Sequence, residues 1–384
     1  MYRDNNTKRT FMNSPMISLK WLTTIALFAC AILSCDKTPL EEDYKYVDLS
    51  ANGTANCYIV SKAGEYKIRA VKGNSTESVG GVASVAVLWE TFGTDTAPQV
   101  GDLVTNVSYT DSYITFNASD KKGNASIAAK DASGKILWSW HIWMTNKPED
   151  QEYYNNAGTM MDRNLGATSA TPGDVEALGL LYQWGRKDPF LGGSAISYSS
   201  SSNQAKAAST LTWPEAVTSD ASIGTIAYAQ ENPTTFIKYN SSNLDWYYTS
   251  YSSTDNTRWQ STKTIYDPCP PGYRVPDGGE NGIWSNGLGA PSAFTGKRLY
   301  DSTTRGYNLT TKLGDASNIW YPFPGYLNAG SGQLRNVSSS GHCWSVTPKN
   351  EYAHYLNMTD SPVLQPSYFG GMRANGLSVR CCKE

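Results

Sequence analysis

Histidine is scarce in this 384-residue chain: there are three, and no two stand at an HxxxH spacing. The seven cysteines include no CxxC pair, so the ligand spacings of structural zinc sites are missing and no metal is expected. GxSxG, HExxH and Walker-type loops are also missing, which leaves no motif for a serine hydrolase, a zinc protease or a nucleotide-driven enzyme. Only a glycosidase, which needs no more than two carboxylates, escapes exclusion by motif. Basic runs stop at pairs such as Lys121-Lys122, and 32 basic against 34 acidic residues give a net charge of −2. That balance offers no electrostatic footprint for nucleic acid. No repeat of fixed period is visible, and no cofactor is implied.

Aromatic residues are plentiful, with 12 Trp, 25 Tyr and 9 Phe. Tyr and Trp join a flat apolar body to a polar tip, so they suit partly wet surfaces as well as cores. The N-terminus is equally informative. Arg3, Lys8, Arg9 and Lys20 precede the mostly apolar run Trp21 to Leu33, whose thirteen residues are too few to cross a bilayer. This is the pattern of a signal peptide, residues 1–34. The run ends in Ile32-Leu33-Ser34-Cys35, which resembles the bacterial lipobox, with Cys35 as the lipidated residue and Cys30 as a rival. Cleavage before Cys35 removes four basic and one acidic residue, leaving 28 against 33 and a charge of −5. Residues 35–45, containing DKTPLEEDYK, then form a polar tether. A charged stretch after the lipid cysteine resembles that of surface-exported lipoproteins of Bacteroidota, which implies lipid attachment to the outer membrane, facing the exterior.

Export also permits disulfides. With Cys30 and Cys35 assigned to processing, five cysteines remain, so at least one is unpaired. Cys57 lies in CYIV among strand-forming neighbours and reads as a small buried hydrophobe. Cys269 sits in DPCPPGYRVP, where three prolines flank it closely and neither helix nor central strand can form. The adjacent Cys381 and Cys382 face opposite ways in a strand, so only one of them can readily meet Cys269, and Cys381 is the expected partner. Such a bridge closes a loop of roughly 110 residues, for which chain entropy allows about 4 to 5 kcal/mol.

Residues 46–145 alternate like strands. ASIAAKDASGKILWSWHIWM is the clearest hairpin: Asp131-Ala132-Ser133-Gly134 supplies the turn, and Ile136, Trp138, Trp140, Ile142 and Met144 share one face. His141 falls on the opposite face, where it is expected to be exposed. Several short strands without a long helical period predict an antiparallel β-sandwich. TNKPEDQEYYNN, Thr145 to Asn156, is charged and aperiodic, and residues 146–157 read as a linker. A second, α+β domain spans 158–384. In it Val175, Leu178, Leu181 and Tyr182 predict one short helix, and Gly192 to Ser209 predicts a surface excursion. HCWSV, AHYLNM and GLSVRCC predict three strands near the end. The whole is expected to be mainly β.

Residues 158–384 resemble the Fibrobacter succinogenes major paralogous domain. The pieces that carry the likeness are MMDRNLGA (160–167), YQWGR (182–186), DPCPPGYRVP (267–276), CWSVT (343–347), YAHYLNM (352–358) and LSVRC (377–381), in the family's order. ANCYIVSKAGEYKI and NASIAAKDASGKILWSWHIWMT resemble the sandwich of fimbrillin-family lipoproteins. The first likeness implies a C-type lectin-like fold whose terminal strands pair and whose long loops carry any binding. It also implies the Cys269 to Cys381 bridge, because cysteines at these two places recur together in the family. Tyr273 stands where Trp is usual, Cys343 stands at a spot usually aromatic, and Cys382 is an addition; a second bridge or a free thiol stays open. The family offers no catalytic residues to carry over.

These readings predict a non-enzymatic surface lipoprotein that binds a host or dietary glycan or glycoprotein through the loops of its C-terminal domain. The alternative is a fimbrial accessory or tip subunit with other fimbrial subunits as partners. Flat rings stack on sugars while neighbouring polar groups bond hydroxyls. On that ground the candidate ligand residues are Trp246, Tyr247, Trp320, Tyr321, Tyr326 and Asp277. PDGGENG, with Asp277, Glu280 and Asn281, is the one compact oxygen-rich loop after Pro276, but it lacks the EPN, QPD and WND signatures of calcium-dependent lectins. Thr96 and Ser302 follow aspartates in the short D-[ST]-small pattern for O-glycosylation.

Overall fold

Period-two alternation broken by Gly, Asn and Asp turns builds the first hundred described residues. The computed structural model describes residues 45–200, 202–209, 213–240, 243–249, 254–288, 298–310, 318–361 and 363–384. The signal peptide, Cys30, Cys35 and the tether up to residue 44 lie outside the described residues. Tyr46–Glu384 form one compact, mainly β unit. Its first strands are β1 (Val47–Asp48), β2 (Cys57–Val60), β3 (Gly64–Arg69), β4 (Ser84–Thr91), β5 (Val104–Thr110), β6 (Tyr113–Ala118), β7 (Gly123–Lys130) and β8 (Ile136–Met144). They form a sheet of order β1-β3-β6-β5 and a second that includes β4-β7-β8-β2. Tyr66, Ile68, Ile114 and Phe116 of the first meet Ile127, Trp138, Trp140 and Ile142 of the second in one core. The pairing is not wholly antiparallel as expected. β1 runs parallel to β3 and β2 parallel to β8, because both join their sheets by non-hairpin connections.

The β7–β8 hairpin turns where expected. Asp131 Oδ1 accepts from the N–H of Ser133 and of Lys135, and Gly134 takes a φ of +85°. Trp138 and Trp140 enter the core, but the opposite face is covered too. Trp143 on that face is fully buried against Met161, Leu165, Trp184 and Val379 from later in the chain. His141 is therefore buried, not exposed, with Nε2 2.8 Å from Asn124 Oδ1. Local alternation reports a strand's two faces and says nothing of what distant chain covers them.

The predicted linker is part of that cover. β9 (Asp150–Tyr153) and β10 (Gly158–Met161) pair antiparallel, so residues 150–157 form a hairpin and not a tether between domains. The predicted helix is reduced to a 3₁₀ turn, Val175–Ala177, capped by Asp174. Gly179 takes a φ of +74° and a Cβ there would lie 2.8 Å from Leu165 O, so the backbone turns aside and enters β11 (Tyr182–Gln183). The predicted excursion 192–209 ends in β12 (Ala207–Ser209), which pairs with β4 and completes the five-stranded sheet of order β12-β4-β7-β8-β2.

Then follow β13 (Val217–Thr218), β14 (Ile237–Lys238), β15 (Tyr273–Arg274), β16 (Arg298–Asp301), β17 (Gly306–Thr310), β18 (Asn318–Pro322), β19 (Tyr326–Leu327) and β20 (Leu334–Arg335). In the meander β21 (Ser340–Lys349), β22 (Tyr352–Thr359) and β23 (Val363–Met372) the first two strands are longer than predicted and the third was not expected, while the predicted strand GLSVRCC is broken into β24 (Gly376–Leu377) and β25 (Cys382–Lys383), which close the chain. β25 lies between β10 and β15, so the two ends of the second half pair.

Cys269 and Cys381 form a disulfide with Cα atoms 5.9 Å apart, closing 112 residues. The proline-stiffened corner is held from within: Asp267 accepts from the N–H of Cys269 at 2.8 Å and of Val275 at 2.9 Å, while Asn56 donates to Asp267 O at 2.8 Å. The two terminal cysteines do face opposite cores, Cys381 with Cys269 and Cys382 with Cys343. Cys57, Cys343 and Cys382 are free and buried, and burial pushes the Cys343 and Cys382 thiols up to about 12.

Candidate functional site

The residues that look most like a motif prove to be interior. In YQWGR, Gln183 Nε2 donates to Ile237 O and Ala374 O, both at 2.7 Å, and Trp184 Nε1 donates to Ser345 O at 2.9 Å. Arg186 Nη1 donates to Thr235 O at 2.8 Å. Nearby, the Arg258 guanidinium pairs with Asp245 and lies between the rings of Trp184, 5.0 Å away, and Trp246, 4.8 Å away. Arg373 reaches the same carboxylate at 3.6 Å. Buried cations, one shared carboxylate and indole faces thus form a single polar knot inside the fold.

That knot corrects the predicted ligand residues. Trp246 is 1% exposed, its indole spent on Trp184 O at 2.8 Å, and half-buried Tyr247 packs edge-on against it. Trp320 is 5% exposed and Tyr321 fully buried. The Tyr321 hydroxyl accepts from Trp284 Nε1 at 3.0 Å and lies 2.5 Å from that of Tyr153, while Arg380 stands 3.6 Å over its ring. Trp246, Trp320 and Tyr321 lie inside the fold, so their faces are closed to a ligand. Asp277 is half-exposed, but its oxygens are taken by Arg274 and Ser261. Among the described residues no three His, Cys, Asp or Glu side chains converge as a metal ion would require. Tyr326 differs: half-exposed, it joins the edge-on ring series Tyr326, His342, Tyr355 and Tyr368, with centroids 5.3 to 5.6 Å apart. Thr96 and Ser302 are both exposed.

Concavity lies elsewhere. A cleft of about 430 Å³ opens beside β12, with Phe190, Phe236 and Leu327 as apolar wall and Trp213, Gln204 and Lys206 among its other lining residues. Its size falls within the range of roughly 300 to 1,000 Å³ usual for small-molecule sites. Phe190 and Phe236 meet edge to face at 5.3 Å, and Trp213 leans on buried Trp89 of β4 at 6.0 Å. The segment 204–207 is fixed from both sides: Ala205 N donates to Gly192 O and Lys206 N to Thr94 O, each at 2.9 Å, while Thr91 Oγ1 donates to Lys206 O at 2.7 Å. Ala97, from the loop after β4, lines the far rim, so both halves of the chain build this hollow.

Unlike Trp246, Trp320 and Tyr321, Trp213 is only half-buried, although its Nε1 is itself buried and without a partner. Gln204 Nε2 donates to Leu191 O at 2.8 Å. Thr234 adds a hydroxyl to the lining. The arrangement combines an indole, an apolar wall and a few convergent polar groups. The one local sign in the sequence was a tryptophan set before Pro214 in an aperiodic, polar stretch. No family model, no curated protein and no solved structure matches this chain.

Proposed function

We propose that this chain is a non-enzymatic, lipid-anchored protein of the outer cell surface that binds glycans, with the cleft beside β12 as its ligand site. The observation that carries the reading is the cleft itself: a half-buried indole lines a hollow of sugar size beside Gln204, Lys206 and Thr234. Ring faces bind the apolar faces of pyranoses while amide, hydroxyl and ammonium groups bond the hydroxyls. The two sheets around one core support a fimbrillin-like N-terminal half. The β10 to β25 pairing and the Cys269 to Cys381 bridge support a C-type lectin-like C-terminal half of the major paralogous kind. The ligand is a host or dietary glycan or glycoprotein.

The test is a glycan and mucin array probed with the purified chain and with Trp213→Ala. Binding that the substitution abolishes, without a change in melting temperature, supports the reading; equal binding by both proteins moves the site elsewhere, and cleavage of arrayed glycans removes the non-enzymatic assignment. A fimbrial accessory or tip role is the second reading, favoured by the sandwich-like first half. Detergent-resistant ladders on cells would select it, a single band the adhesin. Intact-mass measurement of native protein reads hexose increments at Thr96 or Ser302.

A further inference from the structure

The polar groups of the cleft are unbalanced in two ways. The first is charge: Lys206 lines the hollow, and no Asp or Glu does. The nearest acidic residues along the chain, Asp95 and Glu215, are exposed and stand outside the lining. This occurs in a chain whose net charge is negative, so the positive sign of the hollow is local and not a property of the whole surface. The second is donor excess. An ammonium carries three donors and no acceptor, so an occupant rich in acceptor oxygens gains from meeting it.

We infer that the cleft selects an acidic saccharide, a uronic or sialic acid residue, whose carboxylate is taken by Lys206 while its carbon face rests on the Phe190, Phe236 and Leu327 wall. The inference rests on the glycan reading and names its ligand class. A neutral sugar offers hydroxyls that must themselves donate, and Gln204 and Thr234 are the acceptors available for these. A carboxylate offers only acceptors at neutral pH and forms the stronger, charge-assisted bonds. Selection by charge and selection by shape are thus assigned to different residues of one hollow.

Calorimetric titration of the purified chain with glucuronic acid, its methyl ester, N-acetylneuraminic acid and glucose tests this. At least one acid is expected to bind roughly tenfold or more tighter than the ester and glucose, the factor that one charge-assisted bond supplies. Lys206→Met should bring that acid down to the ester's affinity and leave glucose unchanged. Raising the salt concentration should weaken the acid alone. Equal affinity for acid and glucose, both lost in Trp213→Ala, overturns the selectivity and leaves the glycan reading standing. No binding by either acid, with arrayed neutral glycans bound, does the same; an array on which nothing binds removes both.

Discussion

Residues 47–144 and residues 150–384 fill their interiors by different means. The first half buries Ile, Val, Phe and Trp from alternate strand positions, and Glu90 is a rare charge there, its carboxylate taken by the N–H groups of Gly101, Leu103 and Val104. The second half buries Arg186, Arg258, Arg373 and Arg380, satisfies most of their donors with backbone oxygens and indole faces, and adds a disulfide. Leucines such as Leu165, Leu309, Leu356 and Leu377 are buried here too, so what sets this half apart is its buried charge and not a want of aliphatic side chains. A core of the first kind tolerates exchange of shapes; one of the second kind depends on each partner being present.

The sharpest test of that difference is the bridge. Replacing Cys269 and Cys381 together by serine should lower stability by roughly 4 to 5 kcal/mol, seen as a lower urea midpoint. A loss below about 1 kcal/mol would show that the second half stands without its staple. Next comes Asp245→Ala, which leaves Arg258 and Arg373 buried without their shared counter-charge and should cost about 3 to 5 kcal/mol. Its counterpart in the first half, Ile127→Leu, should cost less than about 1.5 kcal/mol. Similar losses from these two changes would erase the distinction.

The remaining effect is on pH dependence. Burial pulls His141 down to about 3 and His342 to about 4, whereas burial raises Asp267 to about 6. The histidines stay neutral in the fold but take protons when unfolded, so the stability they lend is full above roughly pH 6.5 and is lost on acidification toward 4 and 3. Asp267 acts in the opposite sense: its contribution is full below about pH 3.9 and is lost as pH rises through 6. Between pH 6 and 4 two histidine protons oppose one aspartate proton. Stability should therefore fall by about 1.4 kcal/mol per pH unit from these groups, and Asp267→Asn should steepen the fall to about twice that. Parallel curves for the two proteins would show that Asp267 titrates normally.

The parts of the fold that could be read from sequence are those encoded within one stretch of chain. The Asp131 to Gly134 turn, the tryptophan face of β8 and the bridge from a corner too rich in proline to do anything else all stand as read. Burial imposed from a distance could not be read. His141 and Trp143 sit on a face whose cover arrives some twenty or more residues later, and Ala207–Ser209 becomes a strand only because β4 offers an edge. The same holds for the site. Trp246, Trp320 and Tyr321 sit among loop residues that look wet, yet the loops fold inward over them, while Trp213 is left at an opening made by two distant segments. Aromatic content marked which residues matter to packing without marking which of them meet solvent.

Short as it is, β12 also bears on inheritance. A recombination event that moved residues 158–384 onto another carrier would transplant Ala207–Ser209 without the edge on which it lies, and would part Ala97 from the hollow it borders. The two halves are therefore expected to be shuffled only as a pair.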